Sequence, residues 1–442
     1  MYQPKIETMD RESLEKLQVH RLKKTVERVY TSVPFYRKAF DALGVMPDEI
    51  KTLDDVRRLP FTKKSDLREN YPFGLFAVDQ KKVVRIHGSS GTKGKPTIVG
   101  YTVRDLANWS EIVARAMVTA GGRPGDLFQN TYGYGLFTGG LGLHYGAERL
   151  GVTLIPMSGG NTPRQITILE DFNPRGIAGT PSYVLNIAEE MAAMGKDPRA
   201  TSLEYGIFGA EPWSEEMRHT LEEKLRLKAI DIYGLSEVMG PGVAIECFEQ
   251  QEGLHVAEDY FYIEVIDPKT FETLPYGETG EFVFTSLAKE AFPIIRYRTG
   301  DVGFLYPEPC QCGRSHLRMS RIKGRIDDMV IIRGVNVFPS EIESVILSHP
   351  YLAPHFQIQI DRKGTLDEIT VFVEVEDSFV LSAGEFDPHG EPYRRIRHEI
   401  MHELRNALLI STQVSIHPPG NLPRSEGKAN RVIDRRNLYP NG

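Results

Sequence analysis

Apolar and polar positions recur in blocks along most of this chain, and the blocks change period twice. Near the start, Asp10 precedes a stretch in which Leu14, Leu17, Leu22, Val26 and Val29 fall along one side of a helical cylinder, a spacing that predicts a capped amphipathic helix. From about residue 80 to 300 the unit becomes a short apolar run, a Gly- or Pro-containing loop and then a helical stretch, the grammar of α/β layers. Two of the runs, 205–208 and 230–233, lead into Gly209-Ala210-Glu211-Pro212 and Gly234-Leu235-Ser236-Glu237. Ligands of open parallel sheets collect at the carboxyl ends of strands, so these loops are expected to face one crevice. Val83, Val84 and Ile86 form a strand-like lead-in to a further loop at 87–96.

After residue 325 the texture shifts. MVIIRGVNVFP (329–339) predicts a strand and turn, SEIESVILSHP (340–350) a capped helix and EITVFVEVE (368–376) a strand, followed by a helix near 394–409 and the strand QVSIH (413–417). The expected fold is therefore α/β: a large multi-layer N-terminal domain over 1–326 and a small α+β C-terminal domain over 327–442, joined by a hinge near 325–328, with 382–392 as a polar surface loop.

Composition narrows the class. The 442 residues, 40% hydrophobic and 26% charged, suit a globular protein with a sizeable core, and the net charge of -7 argues against general nucleic-acid binding. The acidic, polar start lacks the basic and apolar regions of a secretory signal, which points to the cytosol, and no apolar run is long enough for a membrane span. In a reducing compartment the three cysteines are better suited to a metal or catalytic role than to disulfides.

The loop HGSSGTKGKP (87–96) has the chemistry of a polyphosphate cradle. Gly88, Gly91 and Gly94 can expose backbone N–H groups, Ser89, Ser90 and Thr92 add hydroxyls, and Lys93 and Lys95 add positive charge. It departs from a Walker loop, because Pro96 follows Gly94-Lys95 where Ser or Thr is required. With it come YGLSE (233–237), YRTGD (297–301), GRIDDMVIIRGVNVFPSEIE (324–343) and LPRSEGKANR (422–431). In this order the motifs resemble the adenylate-forming acyl-CoA synthetases, over most of the chain. The block YGYGLFTGGLGLHYGAERLG (132–151) and the PSEIE turn are most similar to the branch that activates phenylacetate.

The resemblance implies an AMP-forming acid–thiol ligase that uses ATP, Mg2+ and coenzyme A and works as a homodimer. It implies that Ser89, Ser90, Gly91, Thr92, Lys93, Gly94 and Lys95 hold the β- and γ-phosphates and that Glu237 binds magnesium. Tyr233 and Gly234 would meet adenine, with the backbone of Gly209, Ala210, Glu211 and Pro212 at the edge of the base. Ser236 would approach the α-phosphate, and Asp301, helped by Arg325, would take the ribose hydroxyls. Lys428 would be the catalytic cation, neutralising charge that builds between the acid and the α-phosphate. Rotation of the small domain about Asp327 would then withdraw Lys428 and present Arg333 and Gly334 to coenzyme A.

Tyr132, Tyr134 and Phe137, set among Gly133, Gly135, Gly139 and Gly140, form the candidate aryl-acid pocket, since glycines let a helix approach while rings line a flat cavity. Cys247, His255, Cys310 and Cys312 make a Cys3His set suited to a closed structural zinc site, with His316 as the rival fourth ligand. Lys93 stands where the related enzymes usually carry Thr, and Ser236 replaces another Thr while keeping its hydroxyl. Two other readings share these residues: an adenylating enzyme with an acceptor other than coenzyme A, and a catalytically silent, zinc-stabilised nucleotide-binding protein.

Overall fold

The lead-in to the Gly-rich loop is a strand in the computed structural model: β1 (Arg85–Ser89) pairs antiparallel with β2 (Thr97–Tyr101). The structure describes residues 1–89, 96–326, 330–332, 335–363, 366–424 and 431–436. The chain packs as two units, one of Met1–Thr180, Ala200–Ala210 and Leu227–Ile322, the other of Pro181–Arg199, Glu211–Arg226 and Lys323–Gly442.

The first unit is built on an eight-stranded sheet. Its parallel part comprises β3 (Leu127–Asn130), β4 (Thr153–Pro156), β5 (Gly176–Gly179), β6 (Tyr205–Gly209) and β7 (Lys228–Tyr233), in the order β4-β3-β5-β6-β7. Every residue of β5 and β6 is buried, as expected of parallel strands covered on both faces. Beyond β7, the strands β8 (Ala244–Glu246) and β9 (Leu254–Val256) continue the sheet antiparallel. A separate antiparallel meander follows: β10 (Phe261–Ile266), β11 (Gly280–Ser286) and β12 (Tyr297–Gly303). The short β13 (Arg318–Met319) returns to pair with β9.

The helices obey their sequence signals. Arg11–Ser32 starts as expected, with the Asp10 carboxylate accepting from Ser13 N, and buries Leu14, Leu22, Val26 and Val29. Leu17 is only half-buried; the fully buried neighbour is Gln18, whose amide donates to Glu258 O. Helix Val103–Thr119 opens on a reciprocal capping box between Thr102 and Asp105. The buried Asp105 carboxylate also accepts from the backbone N–H groups of Glu290 and Ala291, which ties this helix to the segment after β11.

In the second unit, strands Leu352–Lys363 and Leu366–Val375 pair antiparallel, and Gln413–His417 and Val432–Asp434 flank them in parallel. Helix Glu391–Leu408 buries Tyr393, Ile396, Ile400, Leu404 and Leu408, a one-sided stripe packed with Ile342 and Ile346 of helix Pro339–Leu347. Of the strand and turn expected at 329–339, the described residues show two short strands, Val330–Ile332 and Val335–Val337, paired antiparallel. The loop expected at 382–392 is shorter: Ser382 lies in the last turn of helix Asp377–Ala383, and Glu391 and Pro392 lie in the next one.

Candidate active site

Because β3, β5, β6 and β7 run parallel, the turns that leave them emerge along one edge, and the residues singled out from the sequence cluster there. At the end of β6, a Cβ on Gly209 would lie 2.2 Å from Ile232 O, and Ala210 takes a φ of +69°. The strand therefore ends in a backbone shape that only a minimal side chain permits. Gly234, after β7, is equally confined: a Cβ there would meet Gly240 O at 1.9 Å.

The polar groups at this edge are paired. Ser89 Oγ, at the end of β1, donates to Glu237 Oε1 at 2.9 Å, which joins the Gly-rich loop's entry to the YGLSE turn. Ser236 Oγ lies 3.0 Å from Thr138 Oγ1. Tyr233 stacks on Phe284, its OH donates to Asp301 Oδ2 at 2.7 Å, and Asp301 N donates to Thr299 Oγ1. Glu237 and Asp301 are both buried, so each carboxylate sits where charge is poorly screened.

Beneath them lies a support that no single motif announced. Lys289 Nζ donates to Val238 O at 3.2 Å, Tyr101 OH to Met239 O at 2.6 Å and Trp109 Nε1 to Pro241 O at 3.0 Å, so three donors hold the backbone that follows Glu237. Tyr101 and Trp109 stack, His87 meets both edge-on, and the Lys289 ammonium lies 4.5 Å above the Tyr101 ring. Burial holds the Lys289 pKa down at about 8 despite the pull of Asp105 and Glu237. These residues are far apart in sequence, and each alone reads as ordinary core.

The aromatic segment 132–137 is joined to the same edge. Leu136 O accepts from Gly88 N at 2.9 Å, and His87 Nδ1 lies 3.0 Å from it. Tyr132 is buried, while Tyr134 OH receives Asn130 Nδ2 at 3.0 Å and lies 3.2 Å from His144 Nδ1. Phe137 is 57% exposed, so its ring is not enclosed as the candidate pocket requires. The glycines do allow close approach. Along helix Gly139–Leu150, a Cβ on Gly140 would come 2.6 Å from Gly133 O, and one on Gly146 would come 2.2 Å from a Val113 methyl.

Other expected site residues belong to the second unit or lie outside the described residues. Glu211 Oε1 accepts from Ser182 N at the start of helix Pro181–Ala193, and Pro212 follows it. Arg325 occupies the two-residue strand Gly324–Arg325. Ser90, Gly91, Thr92, Lys93, Gly94, Lys95, Asp327, Arg333, Gly334 and Lys428 are outside the described residues. The flanks of the Lys428 segment are anchored. Arg424 makes a two-pronged bond to Glu374 at 2.9 and 2.8 Å, and Arg431 pairs with Glu343 at 3.0 Å.

The sulfur cluster is formed. The ligand atoms of Cys247, His255, Cys310 and Cys312 all lie within 4.8 Å of one another. Cys247 Sγ is 3.7 Å from Cys310 Sγ, and Cys312 Sγ is 3.4 Å from His255 Nε2. Cys247 directly follows β8, His255 is central in β9, and Gly313, at φ +81°, helps turn Cys310 and Cys312 inward. The Cys247 contact, with help from His255, drives the Cys312 thiol strongly down, while the same contact and burial push Cys247 up. Burial opposes a charged His255, but bonds to Cys310 and Cys312 outweigh it and raise its pKa. His316, the rival ligand, faces elsewhere: its Nδ1 lies 3.0 Å from Val256 O.

This fold and site define an AMP-binding, adenylate-forming enzyme, and the AMP-binding enzyme family matches residues 15–287, with the AMP-binding enzyme C-terminal domain at 334–436. The phenylacetate-coenzyme A ligase of Thermus thermophilus is 52% identical over 99% of this chain and 100% of its own length. The Escherichia coli enzyme of that name is 51% identical over 98% and 97%. The chain belongs to the phenylacetate-coenzyme A ligase family. Among solved structures, a 2-hydroxyisobutyryl-CoA ligase in the postadenylation state, in complex with 2-HIB-AMP, superposes with a TM-score of 0.91 at 31% identity, covering 98% of this chain and 92% of the other. No helix among the described residues is long and apolar enough to cross a membrane.

Proposed function

We propose that this chain is an AMP-forming aryl acid–coenzyme A ligase with phenylacetate as its acid. The carboxylate attacks the α-phosphate of ATP and pyrophosphate leaves; the thiolate of coenzyme A then attacks the acyl adenylate and AMP leaves. One observation carries the reading: the signature residues are held in three hydrogen-bonded pairs, Ser89 with Glu237, Ser236 with Thr138 and Tyr233 with Asp301, in a chain about half identical along its length to ligases of that name.

In this reading Ser89 and the Gly-rich loop hold the outgoing phosphates. Magnesium is a hard cation that takes oxygen ligands, and the Glu237 carboxylate, bonded to the Ser89 hydroxyl, would supply one. When bound, the ion offsets phosphate charge. Tyr233 presents its ring to adenine, and Gly209 and Ala210 offer backbone to the edge of the base. Asp301 receives the ribose hydroxyls in an orientation fixed by its bond from Tyr233. Tyr132 and Tyr134 line the acid site. Resemblance alone assigns Lys428 to the adenylation step, Asp327 to the hinge and Arg333-Gly334 to coenzyme A. The chain acts in the cytosol as a homodimer.

The reading includes a structural zinc ion. Three sulfurs and one imidazole nitrogen so close together fit a tetrahedral Cys3His site, and a dication would relieve the conflict between one raised and one lowered thiol. Zinc there would cross-link the end of β8 and the middle of β9 to the turn before β13.

The test is pyrophosphate release from ATP with a panel of aryl acids, with and without coenzyme A. Phenylacetate should give the highest kcat/KM and form a thioester only when coenzyme A is present. Pyrophosphate release without any thioester would move the assignment to an adenylating enzyme with another acceptor.

A further inference from the structure

Two buried imidazole nitrogens beside the sulfur cluster have complementary needs. His255 and His316 are 6% and 7% exposed, and neither His255 Nδ1 nor His316 Nε2 has a hydrogen-bond partner among the described residues. His316 Nδ1 lies 3.0 Å from Val256 O, and because a carbonyl can only accept, that nitrogen carries the proton and Nε2 presents a lone pair. His255 turns Nε2 toward Cys312, so when that nitrogen ligates a metal, Nδ1 carries the hydrogen. One orphan is then a donor and the other an acceptor. A buried polar group left unsatisfied gives up its hydration with nothing in return, so a partner for each orphan is expected.

Both histidines line a cavity of about 20 Å³, walled also by Glu7, Thr119, Arg115 and Arg314. Those four have partners of their own. Glu7 accepts from Arg314 Nε at 2.7 Å, Arg115 grips Asp259 at 2.7 and 2.9 Å, and Thr119 Oγ1 donates to Arg115 O at 2.9 Å. A cavity of this size has room for about one water, which needs two to four polar partners.

The geometry points to a single buried water that accepts from His255 Nδ1–H and donates to His316 Nε2, which makes His316 a positioning residue for the metal-binding imidazole. Its second hydrogen can go to Thr119 Oγ1, which accepts while its own proton is engaged. Through this bridge the proton on Nδ1 is held in place, and Nε2 stays aimed at the sulfurs. The role for His316 and the direction of the bond from His255 rest on the zinc reading above; the presence of a water between the two orphan nitrogens does not.

The experiment uses the full chain in two arms. A crystal structure at about 1.5 Å should show one ordered water within hydrogen-bond distance of both ring nitrogens; an apolar, featureless cavity or a direct His255–His316 bond would overturn the bridge. In the second arm, zinc affinity is measured by competition with a chromogenic chelator. His316→Phe should weaken zinc binding by about 10- to 100-fold, as loss of an outer-shell partner does, and His316→Gln, which keeps an acceptor, should recover most of it. Equal affinity in all three proteins would overturn the positioning role. A native protein free of zinc by elemental analysis would instead defeat the zinc reading, and the positioning role with it, while the crystallographic arm still decides the water.

Discussion

Tyr233 donates its phenolic proton to Asp301 Oδ2 over 2.7 Å, joining the end of β7 to β12. The ring that would carry adenine and the carboxylate that would carry the ribose are thus set by one bond. Tyr233→Phe keeps the ring and drops the bond, so the KM for ATP should rise by about 3- to 10-fold with kcat little changed. Asp301→Ala should lower kcat/KM for ATP by about 100-fold or more. Steady-state pyrophosphate release measures both; an unchanged KM in the Tyr233 variant would detach this pair from nucleotide binding.

The anchors flanking the Lys428 segment lead to a second expectation. Lys428→Ala should cut adenylation by about three orders of magnitude while ATP binding, read by calorimetry, stays within about threefold. Glu374 is fully buried and accepts from Arg424 and from Gly420 N. Glu374→Gln should lower kcat and leave the KM for ATP nearly unchanged, because it loosens the segment and not the nucleotide edge. Full activity in Glu374→Gln would show that the anchor is dispensable.

Sequence pattern reached the strands and the signature turns because both are local. Residues 205–208 and 230–233 are apolar runs closed by glycine, and they appear as β6 and β7 with small extensions. The four metal-binding candidates were readable because cysteine is scarce; the choice between His255 and His316 was not, since only strand pairing decides which ring faces the sulfurs. The support of Lys289, Tyr101 and Trp109 was missed because its members meet only in space. Strand Leu352–Lys363 was also passed over, though Phe356, Ile358 and Ile360 alternate at the period of a strand and are all buried.

Removal of the metal should be felt as stability. If zinc is bound, stripping it with a chelator, or changing Cys310→Ser, should lower Tm by about 5 to 10 °C, with zinc restoring the chelated protein. Differential scanning calorimetry with metal analysis is the measurement. A Tm indifferent to both treatments would mean that the cluster carries no structural metal.

Lys289 gives a pH dependence of definite sign. Its folded pKa, held down at about 8, lies below its ordinary 10.5, so between those values the unfolded chain binds more protons than the folded one. Burying the charged form costs stability below about pH 8, and the cost is relieved as pH rises toward 10.5. Relative to Lys289→Met, the wild-type protein without nucleotide or magnesium should therefore gain stability above pH 8, by about 1 kcal/mol per pH unit. Parallel urea-denaturation curves for the two proteins from pH 7 to 9.5 would refute this.

The order of the metal-binding residues along the chain also says when the site can be completed. Cys247 and His255 leave the ribosome first, the meander β10–β12 with Asp301 follows, and only then do Cys310 and Cys312 appear. An ion can be fully enclosed only after the strand carrying Asp301 has been made. If zinc occupies the cluster, its capture is a late checkpoint in synthesis, passed once the pieces of the nucleotide edge in this unit have all emerged.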